Sequence, residues 1–248
     1  MKVTVVGCGD AFGSGGRLQT SYFVESASTC FLVDCGATAV IGCNRLGIDP
    51  NAIPTIFISH LHGDHYAGLV WWLLHAQHIG KRTEPLQVIG PTGIEARFLA
   101  AAEALFPGCT GVSRRYDLRF REYASGERAL AVGPVRVSAY EVKHPSGAPP
   151  YALRFELDGQ VLGFTGDTEW VDNVVLAGKD ADLYIMECYQ FDGAPRFHMA
   201  WKTIEPRLDE IGARRILLTH MAQAMLDRRH EVTDPRAILA EDGLTVRI

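Results

Sequence analysis

Four side chains of the kind that bind metal ions lie within six residues, in the segment Ser59-His60-Leu61-His62-Gly63-Asp64-His65. His60 and His62 are two positions apart at the end of a predicted strand, so their side chains point the same way and can share one ion. Gly63 allows a tight turn that directs Asp64 and His65 towards a second position. Imidazole and carboxylate ligands suit zinc and also manganese or iron. The segment therefore predicts a metal site.

Three further residues of ligand type follow predicted strands later in the chain: His144, Asp167 and His220. Each has an ordinary interpretation when it is taken alone. His144 is interpreted as a turn residue, Asp167 as a turn or helix-capping carboxylate, and His220 as a capped core histidine. Together with the first segment they make seven groups at the carboxyl ends of strands, where sheets converge on an active site. We therefore expect all seven in one site.

The pattern of apolar residues indicates which elements position these groups. Strands are predicted at residues 2–6, 21–25, 30–34, 55–59, 86–89, 135–138, 151–157, 160–165, 182–186, 215–219 and 244–248. Helices are predicted from Tyr66 onward, around Phe98 to Phe106, around Ile204 to Ile211, and from Ala222. This order of strands, helix, strands and helix predicts two sheets packed face to face with helices outside.

The composition limits the class of protein. The 248 residues suit a single domain spanning 1–248, and 24 Lys+Arg against 29 Asp+Glu give a net charge of -5, which argues against a protein that wraps polyanions. The six cysteines contain no CxxC pair and are interpreted as reduced thiols. The apolar run at 66–80 is too short for a membrane span. We expect a cytoplasmic protein with no membrane partner.

The pattern His60-x-His62-x-Asp64-His65 with later His144, Asp167 and His220 resembles the metallo-β-lactamase superfamily over nearly the whole chain. The resemblance implies an α+β fold, the four-layer αββα sandwich. It also implies two divalent metal ions, with zinc preferred and manganese or iron as alternatives. By this resemblance the ions are held by two sets of ligands bridged by Asp167: His60, His62 and His144 in one, and Asp64, His65 and His220 in the other.

Within the superfamily, the chain is most similar to ribonuclease Z and the related small phosphodiesterases, through the segments 33–36, 88–91, 151–155, 164–168 and 180–187. True β-lactamases of this fold carry a cysteine where Asp167 stands. Ribonuclease Z inserts a long basic arm that grips tRNA, commonly before the bridging aspartate. Only 22 residues separate His144 from Asp167, which leaves no room for that arm. His198 occupies the place of a further catalytic histidine in these relatives.

The resemblance predicts a phosphodiesterase that cleaves a small or cyclic phosphodiester with metal-bound hydroxide. Asp64 would take a proton from the attacking water, and His198 would give one to the leaving alkoxide. Asp34 and Thr168 are candidates for orienting a ligand. Two alternatives stay open: a thioester or lactone hydrolase on the same metals, and an RNA nuclease of the ribonuclease Z type.

The nuclease alternative depends on a cluster of four arginines: Arg114, Arg115, Arg119 and Arg121. Asp117 and Glu122 lie among them, so we interpret the cluster as a solvated strand face rather than a nucleic-acid site. The predicted partner is therefore a small-molecule phosphodiester. The resemblance adds a homodimer, because relatives often form dimers.

Overall fold

The computed structural model describes residues 1–123, 129–193 and 195–248. Within these ranges the strands, in chain order, are β1 (Lys2–Gly7), β2 (Ser21–Glu25), β3 (Cys30–Val33), β4 (Thr55–Phe57), β5 (Leu86–Gly90), β6 (Leu118–Glu122), β7 (Leu130–Val132), β8 (Val135–Glu141), β9 (Tyr151–Leu157), β10 (Gln160–Phe164), β11 (Leu183–Glu187), β12 (Ile216–Thr219), β13 (Ala237–Leu239) and β14 (Thr245–Arg247). They form two seven-stranded sheets. The first has the order β14-β1-β2-β3-β4-β5-β6, and the second has the order β13-β12-β11-β10-β9-β8-β7.

The helices cover the outer face of each sheet. In the described ranges they are α1 (Ala39–Leu46), α2 (Gly63–Tyr66), α3 (Gly68–Leu74), α4 (Ile94–Leu105), α5 (Asp172–Gly178), α6 (Trp201–Ile204), α7 (Leu208–Ile211) and α8 (Gln223–Arg228). Helices α1, α3 and α4 pack on the first sheet, and α5 to α8 pack on the second. None of these helices is long and apolar enough to cross a membrane.

The main core lies between the two sheets and is built from the inward side chains of both. Phe31 and Phe57 of the first sheet meet Phe155 of the second, with ring centroids 5.0 to 5.3 Å apart. Such aromatic contacts add to the free energy gained by removing apolar surface from water. The layers therefore follow the order helix, sheet, sheet, helix, and the predicted αββα sandwich is confirmed.

The strand directions bring one edge of both sheets together at the predicted site. Strands β3 to β6 run parallel to one another, and so do β10 to β13. His60 lies just after β4, Asp167 just after β10, and His220 directly after β12. Since the carboxyl ends of parallel strands meet at one edge, residues distant in sequence become neighbours.

Two glycines allow the turn after β3 to pack against the segment that carries Asp64 and His65. A Cβ on Gly36 would lie 2.4 Å from the carbonyl oxygen of Asp64, and a Cβ on Gly68 would lie 2.1 Å from the carbonyl oxygen of Gly36. The amide of Cys35 donates to the carbonyl oxygen of His65 at 2.7 Å. Any larger residue at either glycine would push this turn away from the site.

The predicted helices are more broken than the apolar pattern indicates. The helix expected from Tyr66 is divided into α2 and α3 and then continues as a π-helical turn at His75–Ile79. The apolar residues on its predicted inward face are nevertheless buried: Leu69, Trp72, Leu73 and Ala76. The helix expected across Ile204 and Leu208 is interrupted at Pro206 by a 3-10 turn, because proline lacks the amide that an α-helix requires there.

The apolar face predicted around Phe98 to Phe106 is only partly inside. Phe98 and Ala102 are buried, whereas Leu99, Leu105 and Phe106 are exposed by 37%, 51% and 36%. Among the α-helices and strands of the described residues, four were not predicted: α1, α5, β7 and β13. The two strands have three residues each and the two helices have seven or eight, so they are too short to show a clear hydrophobic period.

Candidate metal centre

The first predicted ligand group is brought together from two sheets. One ligand-type nitrogen from each of its three members lies within 4.8 Å of the others: His60, His62 and His144. Nε2 of His144 is 2.9 Å from Nδ1 of His62. His60 and His62 follow a strand of the first sheet, while His144 follows β8 of the second. The three imidazoles form one face of a buried pocket at the edge where the sheets meet.

The second group lies beside the first, and its four members also lie within 4.8 Å of one another: Asp64, His65, Asp167 and His220. The Oδ2 atom of Asp167 is 3.3 Å from Nε2 of His65 and 3.2 Å from Nε2 of His220. The same oxygen is 3.8 Å from Nε2 of His60 and 3.7 Å from Nε2 of His144. The carboxylate of Asp167 therefore lies between the two groups, where a bridging ligand would stand.

A buried carboxylate orients one imidazole of each group. Asp34 accepts a hydrogen bond from Nδ1 of His65 at 2.6 Å and from the hydroxyl of Ser59 at 2.7 Å. Since the Ser59 hydroxyl donates to Asp34, its oxygen accepts from Nδ1 of His60 at 3.1 Å. This arrangement leaves Nε2 of both histidines directed at the site. The backbone of Asp34 is left-handed, with φ 56°, so the turn holds a conformation that is costly for a residue other than glycine.

The other two histidines that point Nε2 into the site are held by neutral oxygens. Nδ1 of His144 donates to the carbonyl oxygen of Phe197 at 2.9 Å. Nδ1 of His220 is 3.3 Å from the hydroxyl oxygen of Thr20, which in turn donates to the carbonyl oxygen of Gly9. Each contact favours the tautomer with the proton on Nδ1 and a free lone pair on Nε2. That is the form in which imidazole binds a metal ion.

The donor atoms fit a divalent cation. Nε2 of His60 and Nε2 of His65 are buried and have no hydrogen-bond partner among the described residues. Burial lowers the pKa of His60 well below its ordinary value, which keeps this imidazole neutral. Burial alone would raise the pKa of Asp167, but His220 and His65 outweigh it and hold that pKa well below the usual range. Neutral imidazole beside ionised carboxylate is the state that metal binding requires.

The electrostatics differ at the Asp64 end of the pocket. Burial would lower the pKa of His65, but Asp167, Asp64 and Asp34 together raise it well above its ordinary value. This end of the cluster therefore favours added positive charge, which a metal ion supplies.

His198, the predicted proton donor, lies at the rim of the same pocket. Its ring stacks on Tyr189 with a centroid distance of 4.6 Å and lies 4.9 Å from the ring of His144. Nδ1 of His198 donates to Glu187 at 3.1 Å. Burial lowers the pKa of His198, but the hydrogen bond to Glu187 reverses the effect and raises it overall.

Glu187 is a functional candidate that the sequence analysis did not single out. It is the last residue of β11 and is fully buried, and it also accepts hydrogen bonds from the amides of Thr168 and Met199. Burial raises its pKa to about 7. The signal in the sequence was an acidic residue directly after a continuous apolar strand, at the edge where the ligand residues gather.

The structure thus brings the seven candidate ligands and His198 into one pocket. Asp34 lies against His65, as suggested for an orienting residue. The expectation for Thr168 was wrong, because its hydroxyl donates to the carbonyl oxygen of Glu169 and accepts from the amide of Lys143 instead of contacting a ligand.

The arginine cluster lies on β6, at the edge of the first sheet, and in the segment before it. Arg119 pairs with Asp117 at 2.6 Å, and both side chains are mostly exposed. Arg121 donates to the carbonyl oxygen of Ala131. These contacts agree with a solvated strand face.

Comparison with protein families decides the relationship. The sequence profile described as "Anti-Pycsar protein Apyc1" matches residues 1–242. The chain belongs to the Anti-Pycsar protein Apyc1 family. This member of the Apyc1 family is also 27% identical over 232 residues to the probable metallo-hydrolase YhfI of Bacillus subtilis, covering 89% of this chain and 87% of YhfI.

Two further relatives place this Apyc1-family chain in a broader group. Ribonuclease Z of Halobacterium salinarum is 26% identical over 307 aligned positions, covering 100% of this chain and 97% of the enzyme. The crystal structure of the human short-form tRNase Z superposes with a TM-score of 0.80 at 24% identity, covering 100% of this chain and 99% of that one, and this likeness concerns the fold. The chain is a metal-dependent hydrolase of the metallo-β-lactamase superfamily, in its ribonuclease Z and phosphodiesterase branch. The predicted superfamily, branch and enzyme class are confirmed.

Proposed function

We propose that the protein is a binuclear phosphodiesterase that cleaves a small or cyclic phosphodiester, within one domain spanning residues 1–248. The ions, for which zinc is preferred, would be held by two sets of side chains bridged by Asp167: His60, His62 and His144 in one, and Asp64, His65 and His220 in the other. When bound, such ions stabilise negative charge on a phosphoryl group and lower the pKa of a coordinated water. The residues around them supply orientation and proton transfer.

The position of His198 is the observation that carries this proposal. Its Nδ1 is occupied by Glu187, so Nε2 is the nitrogen free to give a proton to a leaving group. The ring is 18% exposed and lies between the ring of Tyr189 and the ligand-type imidazoles. An alkoxide leaving group gains much from such a donor, whereas a thiolate leaves without one. A phosphodiester therefore suits this pocket better than a thioester.

Asp64 is suited to accept the proton of the attacking water. Its Oδ2 is 3.4 Å from Nε2 of His65 and 4.0 Å from Nε2 of His220. Burial would raise the pKa of Asp64, but His65 and His220 outweigh it and hold that pKa below the ordinary value. The carboxylate is therefore ionised at neutral pH, as a base must be.

A small substrate is favoured over tRNA by what the chain lacks. The alignment with halobacterial ribonuclease Z extends over 307 positions and this chain has 248 residues, so at least 59 positions lie opposite gaps in it. The short connection between His144 and Asp167 supports the same proposal, because it cannot contain a tRNA-binding arm. The RNA nuclease is the second candidate, and it is supported by the similarity to that ribonuclease Z.

The proposal is tested by offering four substrates to the zinc- or manganese-loaded protein: a cyclic phosphodiester with an alkoxide leaving group, a thioester, a lactone and an unstructured RNA. We expect turnover of the diester that is lost with chelator. The variant His198→Ala should lose cleavage of the cyclic diester by about 100- to 10,000-fold, because its alkoxide leaving group needs a proton, while its metal content stays unchanged.

The acyl substrates decide against the proposal if they alone are turned over and His198→Ala is unaffected. Cleavage of RNA at a rate above that of the small diester would favour the nuclease instead. The control variant is His230→Ala, which alters an exposed histidine outside the pocket.

A further inference from the structure

One backbone segment beside the pocket has a conformation that core packing does not explain. Phe197 is left-handed, with φ 71°, which is rare for a large side chain. Its ring is only partly buried, and the guanidinium of Arg196 lies 4.8 Å from the ring centroid at the surface. A strained backbone persists when the surrounding contacts hold it in place. The contacts of the Phe197 backbone must therefore hold this conformation in place.

Both polar backbone groups of Phe197 bond to residues next to the site. Its carbonyl oxygen accepts from Nδ1 of His144 at 2.9 Å. Its amide donates to Oε2 of Glu169 at 3.3 Å. The Phe197 backbone therefore stands between a candidate metal ligand and an acidic side chain two residues after Asp167.

Glu169 in turn is tied back to the segment that carries His144. Its Oε1 is 2.7 Å from Nζ of Lys143, and its amide donates to the carbonyl oxygen of Lys143 at 3.3 Å. Lys143 directly precedes His144 in the chain. The contacts close a ring that links three segments, each of which carries one functional candidate: His144, Asp167 and His198.

We propose that Glu169 and the Phe197 backbone form a clasp that positions His144 and His198 together, an inference that rests on the proposed two-metal function. Glu169 holds the left-handed Phe197 backbone. The Phe197 carbonyl holds the proton of His144 on Nδ1 and leaves Nε2 for the metal ion. The residue after Phe197 is His198, whose ring is thereby placed 4.9 Å from that of His144. Glu169 is a positioning residue, because it acts through the backbone of Phe197.

The test compares three variants at Glu169 with a matched control. Glu169→Gln keeps an oxygen that can accept from the Phe197 amide, Glu169→Ala removes it, and Glu169→Asp keeps the charge but shortens its reach by one methylene. The control is Glu156→Ala, which removes a partly exposed carboxylate that pairs with Arg136 and Arg154 on the second sheet. Zinc affinity is measured by chelator competition, and the Co²⁺-loaded proteins are compared by visible absorption.

We expect Glu169→Ala and Glu169→Asp to weaken one of two zinc affinities by about 10- to 100-fold, to alter the Co²⁺ spectrum and to lower kcat more than they raise KM. Glu169→Gln should stay within about threefold of the wild type, and Glu156→Ala should be unchanged.

The clasp is refuted if Glu169→Ala binds zinc like the control, or if Glu169→Gln is impaired as much as Glu169→Ala. If Glu169→Ala does not fold, Glu169→Asp decides: wild-type affinity refutes the clasp and weakened affinity supports it. Metal affinity is measured without substrate, so the clasp and the proposed substrate are tested separately. If the variants show the expected metal affinities but the wild-type protein does not cleave the diester, only the proposed substrate is refuted. A wild-type protein that binds no metal would refute both.

Discussion

The two halves of the pocket are held in different ways. In the first half, the four side chains of residues 60–65 are adjacent in sequence, and one buried carboxylate, Asp34, connects to His65 directly and to His60 through Ser59. In the second half, the candidates come from separate segments of the chain and each side chain has its own hydrogen-bond partner, although the clasp links the segments of His144 and His198. His144 contacts a carbonyl, His220 a threonine hydroxyl, and His198 a glutamate.

This difference predicts which single substitution should disturb the site most. A shared support makes the first half depend on one residue, so its loss should disturb both ligand groups at once. Separate partners of the side chains make the second half divisible, so loss of one side chain should remove one function and leave the others. The following changes test this contrast in order of decreasing expected effect.

Asp34→Ala should have the largest effect, because it leaves the Ser59 amide, the Ser59 hydroxyl and Nδ1 of His65 without their buried partner. We expect the free energy of unfolding to fall by about 3 to 5 kcal/mol and metal binding to fall below detection. Urea unfolding and metal analysis measure both. Asp158→Ala is the control, since this aspartate is also left-handed but lies in an exposed hairpin turn. Retention of both ions in Asp34→Ala would show that the first half has no shared support.

His198→Ala should remove proton donation and leave the metal ligands in place. We expect kcat to fall by about 100- to 10,000-fold with unchanged metal content. Steady-state kinetics beside metal analysis provide the measurement. Loss of a metal ion in this variant would contradict the idea that the supports of the second half are separate.

Glu187→Gln should shift the pH dependence of kcat. His198 must be protonated to act as an acid, so activity falls as the pH rises through its pKa. Burial lowers that pKa but Glu187 raises it above the ordinary value, so the neutral glutamine should move the alkaline limb to lower pH. A pH profile of kcat measures the shift, with Glu25→Gln at the end of β2 as the control. An unmoved limb would mean that another group limits the rate.

Thr20→Val should have the smallest effect, because it removes only neutral hydrogen bonds, to Nδ1 of His220 and to the carbonyl oxygen of Gly9, while keeping the side-chain shape. A hydrogen bond of this kind contributes about 1 kcal/mol, which corresponds to roughly fivefold in metal affinity. Isothermal titration with zinc provides the measurement, and Thr29→Val in a surface turn is the control. A loss as large as that of Asp34→Ala would erase the contrast between the two halves.

The sequence could predict the candidate ligands because their spacing is local or tied to strand ends. Residues 60–65 display their chemistry within one turn of chain, and the αββα order follows from the order of apolar patterns. His144, Asp167 and His220 could be grouped because parallel strands bring their carboxyl ends to one edge.

The supports could not be predicted in the same way. The hydrogen-bond partner of His144 is the backbone carbonyl oxygen of Phe197. Every residue has such a carbonyl, so the residue type at position 197 does not predict this contact. Glu187 and Glu169 acquire their roles only when β11 and the segment after β10 lie side by side. The Thr168 hydroxyl contacts backbone groups of Lys143 and Glu169, and residue type alone does not show this. Tertiary geometry, rather than residue type, makes these assignments.

The pairing of β14 with β1 affects how the chain folds to its native structure. The hydroxyls of Thr4 and Thr245 contact each other across 241 positions of sequence, so the first sheet joins strands from opposite ends of the chain. Contacts of such long range form late and slow folding, because the loop between them must first be closed. Until β14 arrives, one side of β1 is an open edge on which another nascent chain can pair. We therefore expect refolding yield to fall steeply with protein concentration, since aggregation competes with closure of the first sheet.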